Sequence, residues 1–465
     1  MSDEEKERNE AAETKEPEKE SEKEPVTLLS LIEAHDTDGL HRYFDAKEPI
    51  DIAQEAEELS DEELAKLPDM LTDDEMAALM EESEDEERIR IAHMLDNRRL
   101  LLAFHYMQKD DIVDILGDFP TGRQKDVINL MKTDDRKIIT DLLKYPEDSA
   151  GGIMTTGYLV LKEERTVEQG LERIREVGPK TEYIDTIYII DAHRKVVGQI
   201  GLRDLLSSPR STFIKNIMDR HVISVTPETD QEEAARLVSR YDLKALPVVS
   251  RGQMLGIITL DDIIDVIVDE ADEDILQMGG VNKEESLDTP MWESVKLRLP
   301  WLLINLLTAF LASAVVKAFE NTISQVVALS AIMTIISGMG GNAGTQTMSI
   351  VVRHLSKEDI DWKTFWHDLG KELMVGLIDG AVNGAITGLV VLVMYHNVFL
   401  FPIVLMSMIG NLLIAGLFGL LVPVLIQKCH ADPAIASSIF LTTATDCLGF
   451  FIFLGLAQIF MPLLL

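Results

Sequence analysis

The sequence contains few cysteines and has fewer basic than acidic residues. Its amino-terminal segment also has few apolar residues. Its two cysteines, Cys429 and Cys447, both lie in the C-terminal part. They indicate no disulfide framework and fit a reduced cytoplasmic setting for the rest of the chain. Lys and Arg number 43 against 80 Asp and Glu, a net charge of −37, which excludes nucleic acid as a partner and favours cations. The first 24 residues contain no apolar core, so no signal peptide is predicted.

Charge and apolarity are divided unevenly along the chain. From Trp301 onward there are 6 Lys/Arg and 9 Asp/Glu, so residues 1–300 hold a net charge of −34. Because the chain is also too long for one domain, it is predicted to combine a soluble polyanion with a membrane domain. The sequence contains no recognisable nucleophile–base pair, P-loop or Rossmann turn, so we expect it not to be an enzyme.

The chain is predicted to begin with a tail and an all-α domain. Residues 1–24 hold 11 acids and 5 bases without a periodic apolar face, which is typical of a disordered acidic tail. Over residues 25–148 apolar side chains recur at three- and four-residue spacing, as in Leu64, Leu67 and Leu71. Prolines such as Pro68 and Pro120 divide this pattern, which favours short helices stacked as a superhelix.

The chain then repeats itself. An Ile-Met dipeptide at 153–154 recurs at 217–218, and Gly198 recurs as Gly256, each time with a Val/Ile-rich strand and an amphipathic helix. This pattern resembles a tandem pair of α/β CBS domains, over residues 149–210 and 211–274. The resemblance implies a regulatory module, often an adenosine-nucleotide sensor, that carries no chemistry of its own.

An acidic run closes the second copy. From Asp261 to Asp274, 8 of 14 residues are acidic and none is basic, and helical spacing places Asp262, Asp265 and Asp269 along one side. A solvated face and a cation site are the two interpretations. Clustered carboxylates without His or Cys favour Mg²⁺ or Ca²⁺ over zinc. Residues 275–300 are then predicted to form a connecting (plug) helix that leads to the membrane.

Five apolar spans are predicted within residues 301–465, at about 301–319, 326–352, 373–395, 399–426 and 435–465. Basic residues lie between spans two and three and between spans four and five, whereas the short loops after spans one and three contain none. By the positive-inside rule, we expect a multi-pass protein of the cell membrane with cytoplasmic N-terminal domains and an external C-terminus.

Asp446 lies within the last span, about 16 Å past its start at 1.5 Å per residue. An ionised carboxylate near the bilayer centre costs at least ~2.5–3.5 kcal/mol on insertion scales, so it should face water, a cation or a partner. Thr442 and Thr443 precede it, which favours a hydrated ion path. A protonated Asp bonded to a neighbouring helix is the alternative.

The second span contains four glycines between residues 338 and 344. Close helix packing is one interpretation, and unwound backbone that lines a cavity is the other. Together with Asp446, we expect Gly341, Asn342 and Gln346 to offer oxygens to a hydrated cation. Asp379 in the third span is interpreted as structural or as part of a vestibule.

The runs Gly340-Gly341-Asn342-x-Gly344-x-Gln346 and Thr443-x-Thr445-Asp446-x-x-Gly449, together with the CBS pair and the order of domains, resemble the MgtE family of magnesium channels. The resemblance implies a homodimer with its pore on the two-fold axis, where both Asp446 side chains hold hydrated Mg²⁺ through water. It also implies that cytosolic Mg²⁺ closes the channel. The implied gating acids are Asp262, Asp265, Glu270, Glu273 and Asp274 in the acidic run, Asp432 at the membrane edge, Asp230, Glu232 and Asp242 in the second CBS copy, and Asp110 and Asp114 in the helical domain.

Two positions depart from the family pattern. Leu243 stands where some relatives place an aromatic residue, so we expect any ATP binding to the CBS pair to be weak. Ser438 stands where relatives have Asn, so ion affinity could differ. The leading hypothesis is a Mg²⁺-selective uptake channel with feedback gating. The alternatives are an ion-coupled secondary transporter for divalent cations such as Co²⁺ or Mn²⁺, which would need a repeat in the membrane half, and a non-conducting Mg²⁺ sensor.

Overall fold

The computed structural model describes residues 26–178, 181, 183–283, 285–287, 289–356, 360–429, 432–434 and 437–464. The acidic tail predicted over residues 1–24 lies outside these ranges, as does the predicted start of the last span at 435. The chain divides into two compact units. One contains residues up to Ala234 together with Asp242–Leu260, and the other contains Ala235–Tyr241 and Asp261–Leu465.

The N-terminal part of the first unit is entirely helical in its described residues. Short helices begin at side chains that cap them: Thr72 and Glu75 form a reciprocal capping box, and Asp96 accepts hydrogen bonds from two backbone N–H groups. In chain order the helices are α1 (Leu28–Glu33), α2 (Thr37–Ala46), α3 (Pro49–Glu57), α4 (Asp61–Leu64), α5 (Leu67–Met70), α6 (Asp73–Glu81), α7 (Asp85–Met94), α8 (Asn97–Ala103), α9 (Lys109–Gly117), α10 (Thr121–Leu130) and α11 (Thr133–Leu142).

These helices stack along the chain. The main contacts join helices that are one to three positions apart in sequence, as expected of a small superhelix. Leu40, Ile52, Leu64, Met76 and Leu100 are fully buried between the helices. The all-helical prediction for this domain is therefore confirmed, and its period-3.6 apolar residues are the ones that form the core.

The repeated segments form two small sheets. The first copy has β1 (Tyr158–Lys162), α12 (Val167–Val177), β2 (Tyr183–Ile190), β3 (Val196–Gly201) and α13 (Leu202–Ser207), with sheet order β1-β2-β3. β1 and β2 are parallel, and β2 and β3 are antiparallel. The second copy has α14 (Gln231–Tyr241) and the antiparallel hairpin of β4 (Ala245–Ser250) and β5 (Gln253–Thr259).

The two copies are tied together by an exchange of contacts. A Cβ on Gly198 would lie 2.7 Å from Sδ of Met218, and a Cβ on Gly256 would lie 2.8 Å from Sδ of Met154. The methionine of each copy thus packs against the glycine of the other. Glycine is required at both positions because any side chain would collide with these contacts. The paired α/β domains predicted from the repeat are confirmed.

The acidic run lies on one long helix, α15 (Leu260–Met278). Just after its last residue, Met278, the chain turns at Gly280, whose φ of +73° favours glycine, and the N–H of Val281 donates to the carbonyl of Leu276 at 2.9 Å. Residues 275–300 are therefore not one connecting helix, as the sequence had indicated. The described part of this segment comprises the end of α15, non-helical residues that include Glu285, and the first turns of the next helix, α16 (Met291–Ala318), which follows Pro290.

The membrane domain consists of α16, α17 (Glu320–Gln325), α18 (Ala328–Leu355), α19 (Trp362–Tyr395), α20 (Leu400–Lys428), α21 (Ser437–Ile459) and α22 (Met461–Leu464). Within the described part of the chain, four helices are long and apolar enough to cross a membrane: α16, α19, α20 and α21. The predicted second span corresponds to α18, which is 28 residues long but less apolar. Ten of its residues are buried by neighbouring helices, so a smaller part of its surface has to be apolar to face lipid.

A seam of glycines joins α19 to α20. Gly376, Gly380, Gly384 and Gly388 recur every four residues on one face of α19, and a Cβ on any of them would come within 3.0 Å of α20. At Gly380 the obstructing atom is the Cα of Ile409, 2.6 Å away. The backbones of the two helices therefore approach closely enough to exclude side chains, as is typical of membrane helices with small residues four apart.

Candidate ion pathway and regulatory acids

Asp446 lies in the middle of α21 and is half-buried. Its Oδ1 accepts a hydrogen bond of 2.5 Å from the Oγ of Ser337 on α18. Ser337 lies one turn before Gly341, so the structure brings the carboxylate to the glycine-containing segment of α18. Ser337 is not predictable from the sequence, because nothing in the local pattern indicates which α18 residue faces the last helix.

The predicted pathway residues on α18 are open rather than packed. Asn342 and Gln346 are exposed, and no described atom lies within 4 Å of where a Cβ on Gly341 would be. Because α18 belongs to a membrane domain, exposed amide groups on it are unsuited to contact with lipid. They require water, ions or another protein surface.

The threonines beside Asp446 present acceptors. Thr442 is exposed, and its hydroxyl donates to the carbonyl of Ser438 at 2.8 Å. The hydroxyl of Thr443 donates likewise to Ile439 at 2.6 Å. Because each hydroxyl hydrogen is used within the helix, the oxygen offers its lone pairs outward. Lone pairs are what the coordinated waters of a hydrated cation need, since those waters donate hydrogen bonds.

The glycine run in α18 serves packing at two positions and remains open at two. Cβ atoms on Gly340 and Gly344 would collide with Asn411 and Leu441, at 2.1 and 2.6 Å, whereas Gly338 and Gly341 have no described neighbour within 4 Å. The helix is unbroken through the run, so the structure favours close packing over an unwound backbone. Gly449 also lies within a regular helix and packs against Asn411.

Two further acids lie on α19. Asp379 is exposed, and the amide of Asn383 donates to its backbone carbonyl at 2.9 Å. Glu372, which the sequence analysis did not single out, accepts a hydrogen bond of 3.0 Å from the buried Thr347 of α18. The Glu372 contact joins α18 to α19 away from Asp446.

Two of the predicted regulatory acids, Asp274 and Asp432, lie near each other at the C-terminal end of α15. Burial raises the pKa of Asp274, and the nearby carboxylates of Asp432 and Glu273 raise it further. Ser356, just after α18, opposes this rise by donating to Oδ2 of Asp274 at 3.1 Å. Asp432 is held by the backbone N–H of Ala434, 2.8 Å from its Oδ1. The raised pKa therefore comes first from burial and then from repulsion between carboxylates, and a bound cation would relieve the repulsion.

The other acids of the run are more dispersed along α15. Asp262 and Glu270 are half-buried and Asp265 is exposed. Desolvation and the neighbouring Asp261 raise the pKa of Asp265. Glu273 already has a cation beside it, because Nζ of Lys283 lies 3.5 Å from its Oε2, and Gln277 donates to its other oxygen. Any metal bound at Glu273 must therefore compete with Lys283.

The predicted acids of the first unit also have protein partners. Arg88 places its Nη1 3.9 Å from Asp114 and 3.8 Å from Asp111, next to Asp110 in the first turn of α9. In the second CBS copy, Asp230 accepts from the N–H of Glu232 at 2.9 Å and so caps α14. Asp242 is exposed and has a positive φ of 51°. Among the described residues, no three His, Cys, Asp or Glu side chains of this single chain form a metal-sized cluster.

Comparison with known proteins decides the family. A model described as "Divalent cation transporter" matches residues 333–456, one described as "MgtE intracellular N domain" matches 47–148, and the CBS domain model matches 150–210 and 214–269. The "Magnesium transporter MgtE" of Bacillus subtilis is 32% identical over 371 residues, which cover 80% of this chain and 82% of that protein. The chain belongs to the MgtE family.

Two other proteins named "Magnesium transporter MgtE" are similar over most of their length. The Enterococcus faecalis protein is 35% identical over 70% of this chain and 71% of its own, and the Thermus thermophilus protein is 33% identical over 75% and 79%. A structure described as the soluble part of a magnesium transporter has a TM-score of 0.49 and 29% identity, and it covers 52% of this chain and 96% of its own. The matched MgtE segment 333–456 contains Ser337, Asp446 and both motifs.

Proposed function

We propose that this MgtE family member is a Mg²⁺ channel for magnesium uptake, built as a homodimer and closed by cytosolic Mg²⁺. The observation that carries the proposal is the half-buried carboxylate of Asp446, held by Ser337 between two helices of an apolar domain. An ionisable group at such a place is by default functional, because leaving it against lipid is costly. We take Mg²⁺ as the permeant ion because the three relatives are named magnesium transporters.

The exposed polar face of α18 supports a pore between two copies. A single chain leaves Asn342, Gln346 and Thr442 exposed, and Asp446 is half-buried. Lipid cannot satisfy these groups, and a second copy related by a two-fold axis would enclose them. The pore would then carry two Asp446 carboxylates, amide oxygens and threonine lone pairs, all of which accept hydrogen bonds from the water shell of Mg²⁺.

The topology proposed for this channel has five spans, with the N-terminal domains in the cytoplasm. Lys428, at the end of α20, lies 4.9 Å over the ring of Trp362 at the start of α19. These two helix ends therefore share one membrane face, and both Lys428 and Trp362 are residues that favour the interface. Arg353 in the last turn of α18, and Lys363 and Lys371 in the first turns of α19, flank the connection between these two helices, which supports the cytoplasmic assignment of that face.

Uptake of Mg²⁺ by cells that lack their own transporter tests the pore. Asp446→Ala should abolish rescue at low Mg²⁺ while the protein still assembles. Asp446→Glu should weaken rescue, because one added methylene narrows a path for a hydrated ion. Glu320→Ala, which removes an exposed acid on the short helix α17, is the control and should rescue as well as wild type. Full rescue by Asp446→Ala would sink the pore assignment.

We further propose that Mg²⁺ closes the channel by bridging carboxylates between α15 and the membrane edge. The carboxylate of Asp432 contributes to the raised pKa of Asp274 in the structure, and Mg²⁺ commonly uses one or two carboxylates per site and retains waters. Without a cation these groups repel. Two unit charges 4 Å apart interact by about 4 kcal/mol at an effective dielectric of 20, so neutralising a few pairs can change which arrangement of the domains is stable.

Limited proteolysis between residues 100 and 300 tests the gate. Wild-type protein should be cut quickly in chelator and protected by millimolar Mg²⁺, whereas replacing Asp262, Asp265, Glu270 and Glu273 together by Ala should make the two conditions alike. Equal cutting of the wild type in both conditions would refute the gate and leave the pore untouched. Currents from purified protein in liposomes, measured without H⁺ or Na⁺ gradients, distinguish a channel from a coupled transporter and from a non-conducting sensor.

A further inference from the structure

One buried amide lies at the centre of the membrane domain. Asn411, in the middle of α20, is 0% exposed. Its Nδ2 donates a 2.8 Å hydrogen bond to the carbonyl oxygen of Ile336 on α18. No described residue provides a partner for its Oδ1, which is fully buried.

Asn411 fits a notch made by two glycines on two different helices. A Cβ on Gly340 of α18 would lie 2.1 Å from Nδ2 of Asn411, and a Cβ on Gly449 of α21 would lie 2.5 Å from its Oδ1. Both distances are far below van der Waals contact. Glycine at 340 and at 449 is therefore what allows the Asn411 side chain to lie between α18 and α21.

This notch is adjacent to the Ser337 and Asp446 pair. The carbonyl that Asn411 binds belongs to Ile336, the residue before Ser337, and Ser337 donates to Asp446. Gly449 lies three residues after Asp446, which is about one helical turn. A single side chain thus contacts both helices within a turn of the hydrogen bond that holds the pore carboxylate.

Stability alone does not account for an amide at this position. A buried oxygen without a hydrogen bond is unfavourable, and the carbonyl of Ile336 already lies within a regular helix. Leucine has nearly the same shape as asparagine and would avoid the unsatisfied oxygen. The amide does, however, fix the rotation and height of α18 relative to α20 through a directional bond, which leucine could not do.

We propose that Asn411 is the positioning residue of the ion pathway: it fixes α18 against α21 so that Ser337 holds the Asp446 carboxylate in one orientation. This inference rests on the proposed pore role of Asp446. It assigns a function to Gly340 and Gly449, one glycine from each of the two motifs, which make room for the amide. It also predicts that changes at Asn411 alter how the pathway discriminates between ions as well as how fast ions pass.

The test compares Asn411→Leu with Ser407→Ala in the full-length protein. Ser407 is one turn earlier on the same helix and is equally buried, and among the described residues its hydroxyl donates only to the carbonyl of Ile403 on its own helix. Uptake of Mg²⁺ and of Co²⁺ is measured, with the amount of assembled protein. Asn411→Leu should lower Mg²⁺ uptake about three- to twentyfold, the range expected for one intramembrane hydrogen bond, and change the Mg²⁺ to Co²⁺ ratio. Ser407→Ala should match wild type in both.

A variant on α21 decides the matter if Asn411→Leu does not assemble. Gly449→Ala should impair uptake and change the Mg²⁺ to Co²⁺ ratio, because its methyl group meets Asn411 and displaces the amide, whereas Gly455→Ala, on the same helix with no described atom within 4 Å of its Cβ position, should match wild type. Wild-type uptake and ion ratio in Gly449→Ala, or a loss of uptake in Asn411→Leu with an unchanged ion ratio, would overturn the positioning role. Asp446→Ala, run in parallel, separates the two ideas: if it retains uptake the proposed pore has failed, and if it is inactive while Asn411→Leu behaves as wild type only the present inference has failed.

Discussion

Replacing Gly380 by alanine tests the glycine seam between α19 and α20. The added Cβ would lie 2.6 Å from the Cα of Ile409. A backbone atom cannot rotate away as a side chain can, so the two helices have to separate. Ordinary contacts of a Cβ begin at 3.4 Å, and the required shift is therefore about 0.8 Å at this point of the seam.

Two opposing free-energy changes set the size of the effect. Alanine favours helix over glycine by up to about 1 kcal/mol. A gap of about 0.5–1 Å forfeits a quarter to a half of each dispersion contact along the seam, and overpacking a tight site costs about 1–3 kcal/mol. Overpacking should prevail, because the contacts at Gly376, Gly384 and Gly388 open together with that at Gly380.

Thermal unfolding of the purified protein in detergent measures the result. Gly370→Ala is the matched control, because Gly370 lies on the same helix with no described atom within 4 Å of its Cβ position. We expect Gly380→Ala to lower the midpoint of unfolding and Gly370→Ala to leave it unchanged or raise it. Equal midpoints for the two variants would refute the assignment of the seam as a close backbone contact.

Three more outcomes are expected. Because the pKa of Asp274 is raised by burial and by Asp432, protons compete with Mg²⁺ for this carboxylate. The Mg²⁺ concentration that gives half-protection from proteolysis should therefore rise as the pH falls towards that pKa. A half-protection concentration that does not depend on pH would contradict this. Leu243→Phe should increase ATP affinity measured by calorimetry, and tight binding by the wild type would contradict the expectation. Arg298→Ala should lower the unfolding midpoint, because it leaves the buried Glu285 without the guanidinium that holds its pKa below its usual range, and Glu285→Gln in the same background should recover part of the loss.

Hydropathy located the membrane helices but not their ends. The helix α19 begins at Trp362, 11 residues before the span predicted at 373, because polar residues such as Asp368 and Lys371 continue the helix outside the apolar window. Likewise, Gly280 and Pro290 interrupt the segment predicted as one connecting helix. Local signals for these breaks were present in the sequence, but an acidic helix followed by an amphipathic one does not reveal where the first helix stops and the second begins.

A site residue was predictable from the sequence where a charged side chain lies within an apolar span. Asp446 could be found because a carboxylate in an apolar span is costly wherever its neighbours lie. Ser337 and Asn411 could not, because serine and asparagine are tolerated in many membrane helices and their importance comes from which helix they face. The spacing of Gly376 and Gly380 was a readable signal for close packing. Which helix packs against these glycines, however, is decided by the tertiary fold.

The modest apolarity of α18 bears on how the protein is made. In the proposed topology α18 enters the bilayer, yet its amides and glycines make it the least hydrophobic span. Much of its packing surface is supplied by α20, which ends at Lys428, 73 residues after Leu355. At ~5–20 residues per second of synthesis, α18 must wait about 4–15 s before that helix is complete. During this interval the insertion machinery has to shield the polar groups of α18 from lipid. When synthesis is slow or stalled, α18 should therefore fail to insert more often than the other spans.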